Sequence, residues 1–144
     1  MKILSLLFLT LFLGKGCNDE TQNDIKTAVI EYSANTRGYY QKITVKDQMV
    51  TISKDRDGND KPVATKISDS DWKDLIEYFS DVNLEEIKDL KAPTEKRFYD
   101  GAAMANLRIT YKEKQYDSQT FDHGTPPVEI EKLVNKIVSL AKEE

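Results

Sequence analysis

Tyr39-Tyr40-Gln41-Lys42-Ile43-Thr44-Val45-Lys46-Asp47-Gln48-Met49-Val50-Thr51-Ile52-Ser53-Lys54 carries two apolar-alternating runs joined by two polar residues. Its first eight residues alternate. Tyr39, Ile43 and Val45 fall on one face and Tyr40, Lys42, Thr44 and Lys46 on the other, the pattern of a half-buried strand. If Asp47-Gln48 forms a two-residue turn, Val45 faces Val50 and Ile43 faces Ile52. Apolar then meets apolar across the pair, and this matching sets the register, because a one-residue slip would turn every side chain to the other face. Asp-Gln is not the Asn-Gly dipeptide that tight hairpins favour. The side-chain pairing therefore fixes this hairpin, and the turn chemistry does not.

On the N-terminal side, residues 25–33 read as a strand with neither face cleanly apolar, followed by a turn at Asn35-Thr36-Arg37-Gly38. On the other side, Asp55-Arg56-Asp57-Gly58-Asn59-Asp60 is a second turn. With Gly58-Asn59 at its tip, Thr65 faces Ile52 and Ile67 faces Val50. Pro62 has no N–H for a ladder and puts this strand at an edge. Ser68-Asp69-Ser70-Asp71 is an N-cap cluster. Trp72, Leu75, Ile76 and Phe79 then recur at helical spacing, which predicts a helix ending at Ser80. Leu84, Ile87 and Leu90 suggest a short further turn of helix, closed by Lys91-Ala92-Pro93. Lys96 to Gly101 is a loop. Ala103, Ala105, Leu107, Ile109 and Tyr111 mark a strand that returns through Glu113-Lys114, so that Tyr111 faces Tyr116 and Ala105 faces Asp122. Asp122-His123-Gly124 breaks that strand. Thr125 is the expected cap of a last helix that opens with Pro126-Pro127 and buries Ile130, Leu133, Val134, Ile137 and Ala141. The predicted fold is α+β: one antiparallel sheet of about five to six strands, with two helices packed on one face.

The N-terminus has a different composition. Met1-Lys2 precedes eleven apolar or small residues, Ile3 to Leu13. That is too short to span a bilayer and fits a signal peptide. Leu13-Gly14-Lys15-Gly16-Cys17 follows, then Asn18-Asp19-Glu20-Thr21-Gln22-Asn23-Asp24. The segment resembles the lipobox of bacterial lipoproteins, in the looser form found in Bacteroidetes: Gly16 precedes the cysteine as the pattern has it, while Gly14 and Lys15 depart from it. Asp19-Glu20 resembles the acidic signal that directs some of these proteins to the cell surface. The resemblance implies a leader at 1–16, an acylated Cys17 with a tether over 17–24, and a single domain over 25–144. It also implies an outer-membrane anchor facing the periplasm or the outside. Cys17 is the only cysteine, so no internal disulfide can form.

Of the 21 basic residues, Lys2 and Lys15 lie in the leader, leaving 19 against 25 acidic ones. No basic cluster stands out, which argues against nucleic acid as a partner. The expected partners are the membrane, through the lipid, and an unidentified protein or small molecule. No cofactor motif is present. Asp55 to Asp60 has oxygens where a calcium loop begins, but Asp60 and Lys66 stand where that loop needs Gly and Glu, so no metal site is expected there. His123 is the only histidine, and no nucleophile context surrounds it. The predicted pairing does bring loop 97–101 beside 122–124, so Arg97, Tyr99, Asp100, Asp122 and His123 form a candidate recognition patch. The competing expectation is that Phe98 and Tyr99 plug the end of the core while Arg97 pairs with Asp100 or Asp122. Three functions follow in order: a non-catalytic, lipid-anchored binding module; an inhibitor of a secreted hydrolase; and an acid–base or metal-assisted enzyme using Asp100, Asp122 and His123.

Overall fold

A computed structural model of the chain describes residues 25–142. Cys17, the leader and the tether lie outside the described residues. Seven strands form one open antiparallel sheet: β1 (Val29–Thr36), β2 (Tyr39–Lys46), β3 (Met49–Ser53), β4 (Thr65–Lys66), β5 (Met104–Tyr111), β6 (Lys114–Asp117) and β7 (Phe121–Asp122). Their order is β4-β3-β2-β1-β5-β6, and β7 pairs with β5 beyond β6. The helices α1 (Asp69–Ser80) and α2 (Glu131–Leu140) cover one face. The expected α+β architecture is therefore present, with a larger sheet than expected. No described helix is long and apolar enough to cross a membrane.

The first hairpin has the register its side chains demand, with Val45 opposite Val50 and Ile43 opposite Ile52. Asp47 and Gln48 take φ values of 47° and 60°, the left-handed pair that matches strand twist. Neither is glycine, so both are strained. The Gln48 amide offsets part of that cost by donating to the Ile67 carbonyl (2.9 Å) and to Asp69 (2.8 Å).

Four local expectations are corrected. Residues 25–27 are helical, and the first strand starts at Val29. Ile30, Tyr32 and Ala34 are its buried face. Ile25 and Ala28 are buried from outside the strand, and including them made both faces look mixed. The turn after β1 shrinks to Arg37-Gly38, because Asn35 and Thr36 pair with Tyr40 and Tyr39.

Second, β4 pairs two residues away from the expected register, Val50 with Thr65 and Met49 with Lys66. Side chains, not a tight tip at Gly58-Asn59, close the preceding loop. The Asp55 carboxylate accepts from the amides of Asp57 and Asn59, at 2.9 Å each. The Asp60 carboxylate accepts from the Ser53 hydroxyl (2.9 Å) and the Lys54 amide (3.0 Å). β4 is an edge strand, as Pro62 implied.

Third, the second hairpin turns at Lys112-Glu113, with φ 50° and 64°. Ile109, not Tyr111, faces Tyr116. A slip of two leaves the faces unchanged, but a further irregularity does not. The Ser118 hydroxyl, rather than a ladder carbonyl, accepts from the Leu107 amide (2.9 Å), while the Ser118 amide donates to the Leu107 carbonyl (2.8 Å). The chain takes up one extra residue there, a bulge. Ala105 consequently faces Phe121, and Met104 faces Asp122.

Fourth, Thr125 does not cap the last helix. Its amide bonds to the Asp122 carbonyl (2.9 Å), and a 3₁₀ turn at Val128–Ile130 leads into α2.

The core joins Trp72, Leu75 and Phe79 of α1 and Leu133, Val134, Ile137 and Leu140 of α2 to Ile30, Tyr32, Ile43, Val45, Leu107 and Ile109 of the sheet. Each such burial contributes about 1.5–3 kcal/mol. The opposite sheet face is polar. Glu31 pairs with Lys42 (3.2 Å), and Ser33 donates to Asn106 (2.6 Å).

Candidate functional site

The bulge decides what stands at the end of the sheet. It turns Phe121 into the core, where the residue is fully buried beside Tyr32 with ring centroids 6.2 Å apart. Asp122, the next residue, must then point to the other face. There the loop after Pro93 covers it, and its exposure is 0%.

A carboxylate buried this deeply needs full hydrogen bonding. Asp122 has it. Oδ2 accepts from the Thr94 hydroxyl (2.5 Å) and the Lys96 amide (2.8 Å). Oδ1 accepts from the Arg97 amide (2.9 Å) and from Arg97 Nη1 (3.2 Å). Four donors meet the roughly four acceptor positions of a carboxylate. Burial alone would raise the carboxyl pKa; the bonds from Thr94, Arg97 and Lys96 outweigh it and bring the value down to about 2. Asp122 is thus an ionised staple holding the loop to the sheet. With every lone pair engaged, it has no acceptor position for a substrate proton.

The staple leaves the next residues outside. Lys96–Tyr99 form one 3₁₀ turn, and Asp100 ends it at φ 60°. Phe98 is 67% exposed and Tyr99 71%. Neither plugs the core, so that expectation is corrected; the Arg97–Asp122 pair it included is present. The Phe98 ring lies over the Arg97 guanidinium, 4.3 Å from Cζ to centroid. A Cβ on Gly101 would come within 2.9 Å of the Tyr99 ring and 3.2 Å of Lys96, so a side chain there would push the exposed Tyr99 ring aside and crowd the Lys96 backbone.

His123 belongs to a neighbouring cluster. Gly124, at φ 95°, completes the turn that presents it. Nδ1 is 2.7 Å from the Tyr32 hydroxyl, and the imidazole lies 5.8 Å from the Tyr32 ring and 6.0 Å from the Tyr39 ring. The Tyr39 hydroxyl in turn donates to Gln41 (2.8 Å). Burial, and then Lys142, hold the His123 pKa below its ordinary value. Burial, and then Tyr39, push the Tyr32 phenol up. Both groups are neutral at neutral pH.

Of the five residues expected to form the patch, Arg97 and Asp122 are joined directly. His123 follows Asp122 in the chain but packs among tyrosines, and Tyr99 and Asp100 are exposed on the loop. Sequence reasoning missed Thr94, Tyr32 and Tyr39. The pattern Thr94-x-Lys96-Arg97, opening a turn with donors toward one acceptor, was the available signal for Thr94.

A concavity lies apart from these residues, on the uncovered sheet face. It is a groove of about 400 Å³ between the strand residues Tyr40, Lys42, Thr51 and Ser53 and the loop residues Asp55, Arg56 and Asp60. Arg56 Nη2 holds this loop to the Thr36 carbonyl at 2.6 Å. The loop carboxylates Asp55 and Asp60 are already engaged by Asp57, Asn59, Ser53 and Lys54. Among the described residues, no group of three or more His, Cys, Asp or Glu side chains converges as a metal site. Comparison of the chain with known protein families, with curated proteins and with solved structures finds no match.

Proposed function

We propose that the protein is an exported module, lipid-anchored at Cys17, that recognises a partner through the loop 94–101 and does no chemistry itself. One observation carries this reading. A buried, ionised Asp122 fixes the loop backbone, while the two aromatic side chains on that loop, Phe98 and Tyr99, are left in solvent. Exposed aromatic rings on a rigid support are typical anchors of protein recognition, because little freedom remains to be lost on binding. The saturated hydrogen bonding of Asp122 and the phenol partner of His123 weigh against acid–base work at the same place.

The test is capture from membrane and culture extracts by residues 17–144 carrying Cys17→Ser, a chain that retains the whole core, Ile25 to Leu140. A partner retained by this chain and lost with Phe98→Ala/Tyr99→Ala is the expected result. Equal capture by both would remove the loop from recognition. The anchor is tested separately by lipid labelling, which Cys17→Ser should abolish.

The same stapled loop favours one second reading, insertion into the cleft of a secreted hydrolase. A captured partner with hydrolase activity that the domain suppresses would select it.

A further inference from the structure

Arg97 is almost buried, with 7% of its side chain exposed, and only two of its five N–H donors are used among the described residues. Nη1 serves the Thr94 carbonyl (2.8 Å) and Asp122 Oδ1 (3.2 Å). Nε is buried with no acceptor. Nη2 makes no hydrogen bond among the described residues. In a planar guanidinium, Nε–H and the adjacent Nη2–H point the same way. They form the side-on edge that grips a carboxylate or phosphate through two parallel bonds. The fold therefore spends Nη1 on holding the loop and leaves the edge suited to an anion unfilled, on a guanidinium whose Cζ lies 4.3 Å from the Phe98 ring. A buried N–H without a partner is costly and uncommon.

We propose that the Nε–Nη2 edge of Arg97 receives a carboxylate of the partner, with Phe98 and Tyr99 packing against the apolar group beside that carboxylate. The proposal rests on the reading of 94–101 as the recognition loop. A monoanion fits better than a phosphate. Asp122 already neutralises Arg97 once, and Asp100 ends the same 3₁₀ turn, so a dianion would be drawn toward two carboxylates. Phe98 is 67% exposed and lies 4.3 Å from Arg97 Cζ, so a side-chain rotation there opens the guanidinium to a ligand.

The Arg97 Nε–H resonance in ¹H–¹⁵N spectra of residues 17–144 (Cys17→Ser) reads the site directly. N-acetylphenylalanine presents a carboxylate as a chain terminus does. N-acetyl-Phe-Glu-amide presents one as a side chain does, and N-acetyl-Phe-amide presents none. The expected result is a saturable shift with at least one of the acids and none with the neutral amide; the tighter acid identifies the source. Arg97→Lys keeps a cation for Asp122 but lacks the edge, and should weaken binding about tenfold. Phe98→Ala should weaken both acids, because the ring packs against the apolar group beside the carboxylate, but should leave their preference over the neutral amide. A response to the neutral amide equal to that of the acids, silence with both acids, or tighter binding of inorganic phosphate would each overturn the assignment. If Arg97→Lys does not fold, the wild-type resonance still decides. If it folds and captures the partner as wild type does, while Phe98→Ala/Tyr99→Ala does not, the loop reading stands and this assignment falls.

Discussion

Asp122→Asn is the substitution that most directly probes the staple. Asparagine has nearly the same shape and keeps one acceptor oxygen. Its amide nitrogen, however, would face either the Thr94 hydroxyl and Lys96 amide or the two Arg97 donors. It also leaves the 7%-exposed Arg97 without its counter-charge. Removing one partner of a buried pair costs about 3–5 kcal/mol. Arg97 keeps the Thr94 carbonyl and the loop can open to water, so the lower figure, about 3 kcal/mol, applies. The depressed carboxyl pKa points the same way: about 2 in the folded chain against ~3.9 when unfolded corresponds to roughly 2–3 kcal/mol.

The pH dependence follows from the sign of the shift. A depressed carboxyl pKa contributes fully above the unfolded value and is lost as pH falls toward the folded one. At pH 2.5 only about a third of the contribution should remain. Urea unfolding of wild type and variant at both pH values is the assay. A gap of about 3 kcal/mol at pH 7, equivalent to roughly 10 °C in Tm, should narrow sharply at pH 2.5. Hydrogen exchange at the Lys96 and Arg97 amides should rise in the variant at pH 7. A gap below about 0.5 kcal/mol at neutral pH, the level of an ordinary surface change, would refute the staple. So would a gap that does not change with pH.

The remaining predictions concern the histidine cluster, the turns and the bulge. His123 supplies the only imidazole signals; they should titrate below 6.5, and Lys142→Gln should move the midpoint up. Because the folded state resists this proton, stability should fall as pH drops below about 6.5, and His123→Gln should remove that slope; a midpoint at 6.5 would contradict the burial. Glu113→Gly relieves φ 64° and should raise stability by about 0.5–1 kcal/mol in thermal melts. Gln48→Gly relieves φ 60° but loses two hydrogen bonds, so its gain should be smaller or reversed; equal gains would deny the Gln48 amide a role. Ser118→Ala removes the acceptor of the Leu107 amide and should cost about 1–2 kcal/mol in urea unfolding, whereas no measurable loss would mean that another group fixes the bulge.

The parts of the fold legible in the sequence were those where one physical requirement decides. Val45 and Val50, Ile43 and Ile52 can meet in only one register, so β2 and β3 were placed correctly despite an unfavoured turn. The Ser68 cap and the Trp72-Leu75-Phe79 stripe fixed α1 in the same way. The second hairpin offered no such match. Pairing Tyr111 with Tyr116 looked as good as pairing Ile109 with Tyr116, and Lys112-Glu113 carries no turn signature, yet both of its residues adopt positive φ. The bulge could not be read at all. It depends on a single serine hydroxyl standing in for a ladder carbonyl, and serine is common on exposed strands. That one substitution of acceptors moved Phe121 into the core and Asp122 out of it.

The candidate site followed the same division. That loop 97–101 lies near 122–124 was legible, because the proximity survives an error of one residue in register. The division of labour between the residues was not, because it depends on which face Asp122 takes. On the core face, Asp122 would have met Tyr32 and His123 and looked like part of a proton relay. On the other face it meets two backbone amides, a hydroxyl and a guanidinium, and becomes the support of the loop. Fixing a residue's backbone costs about 1–2 kcal/mol. A loop ordered in advance by Asp122 carries that cost within the folding of the domain, so it need not be met when a partner binds. Folding therefore also meets the cost of burying Arg97 with one edge unfilled, and a ligand that fills that edge recovers it. The buried carboxylate, the unfilled guanidinium edge and the two exposed rings are then parts of one device: the first holds the loop, the second is open to a partner's charge, and the third to its apolar surface.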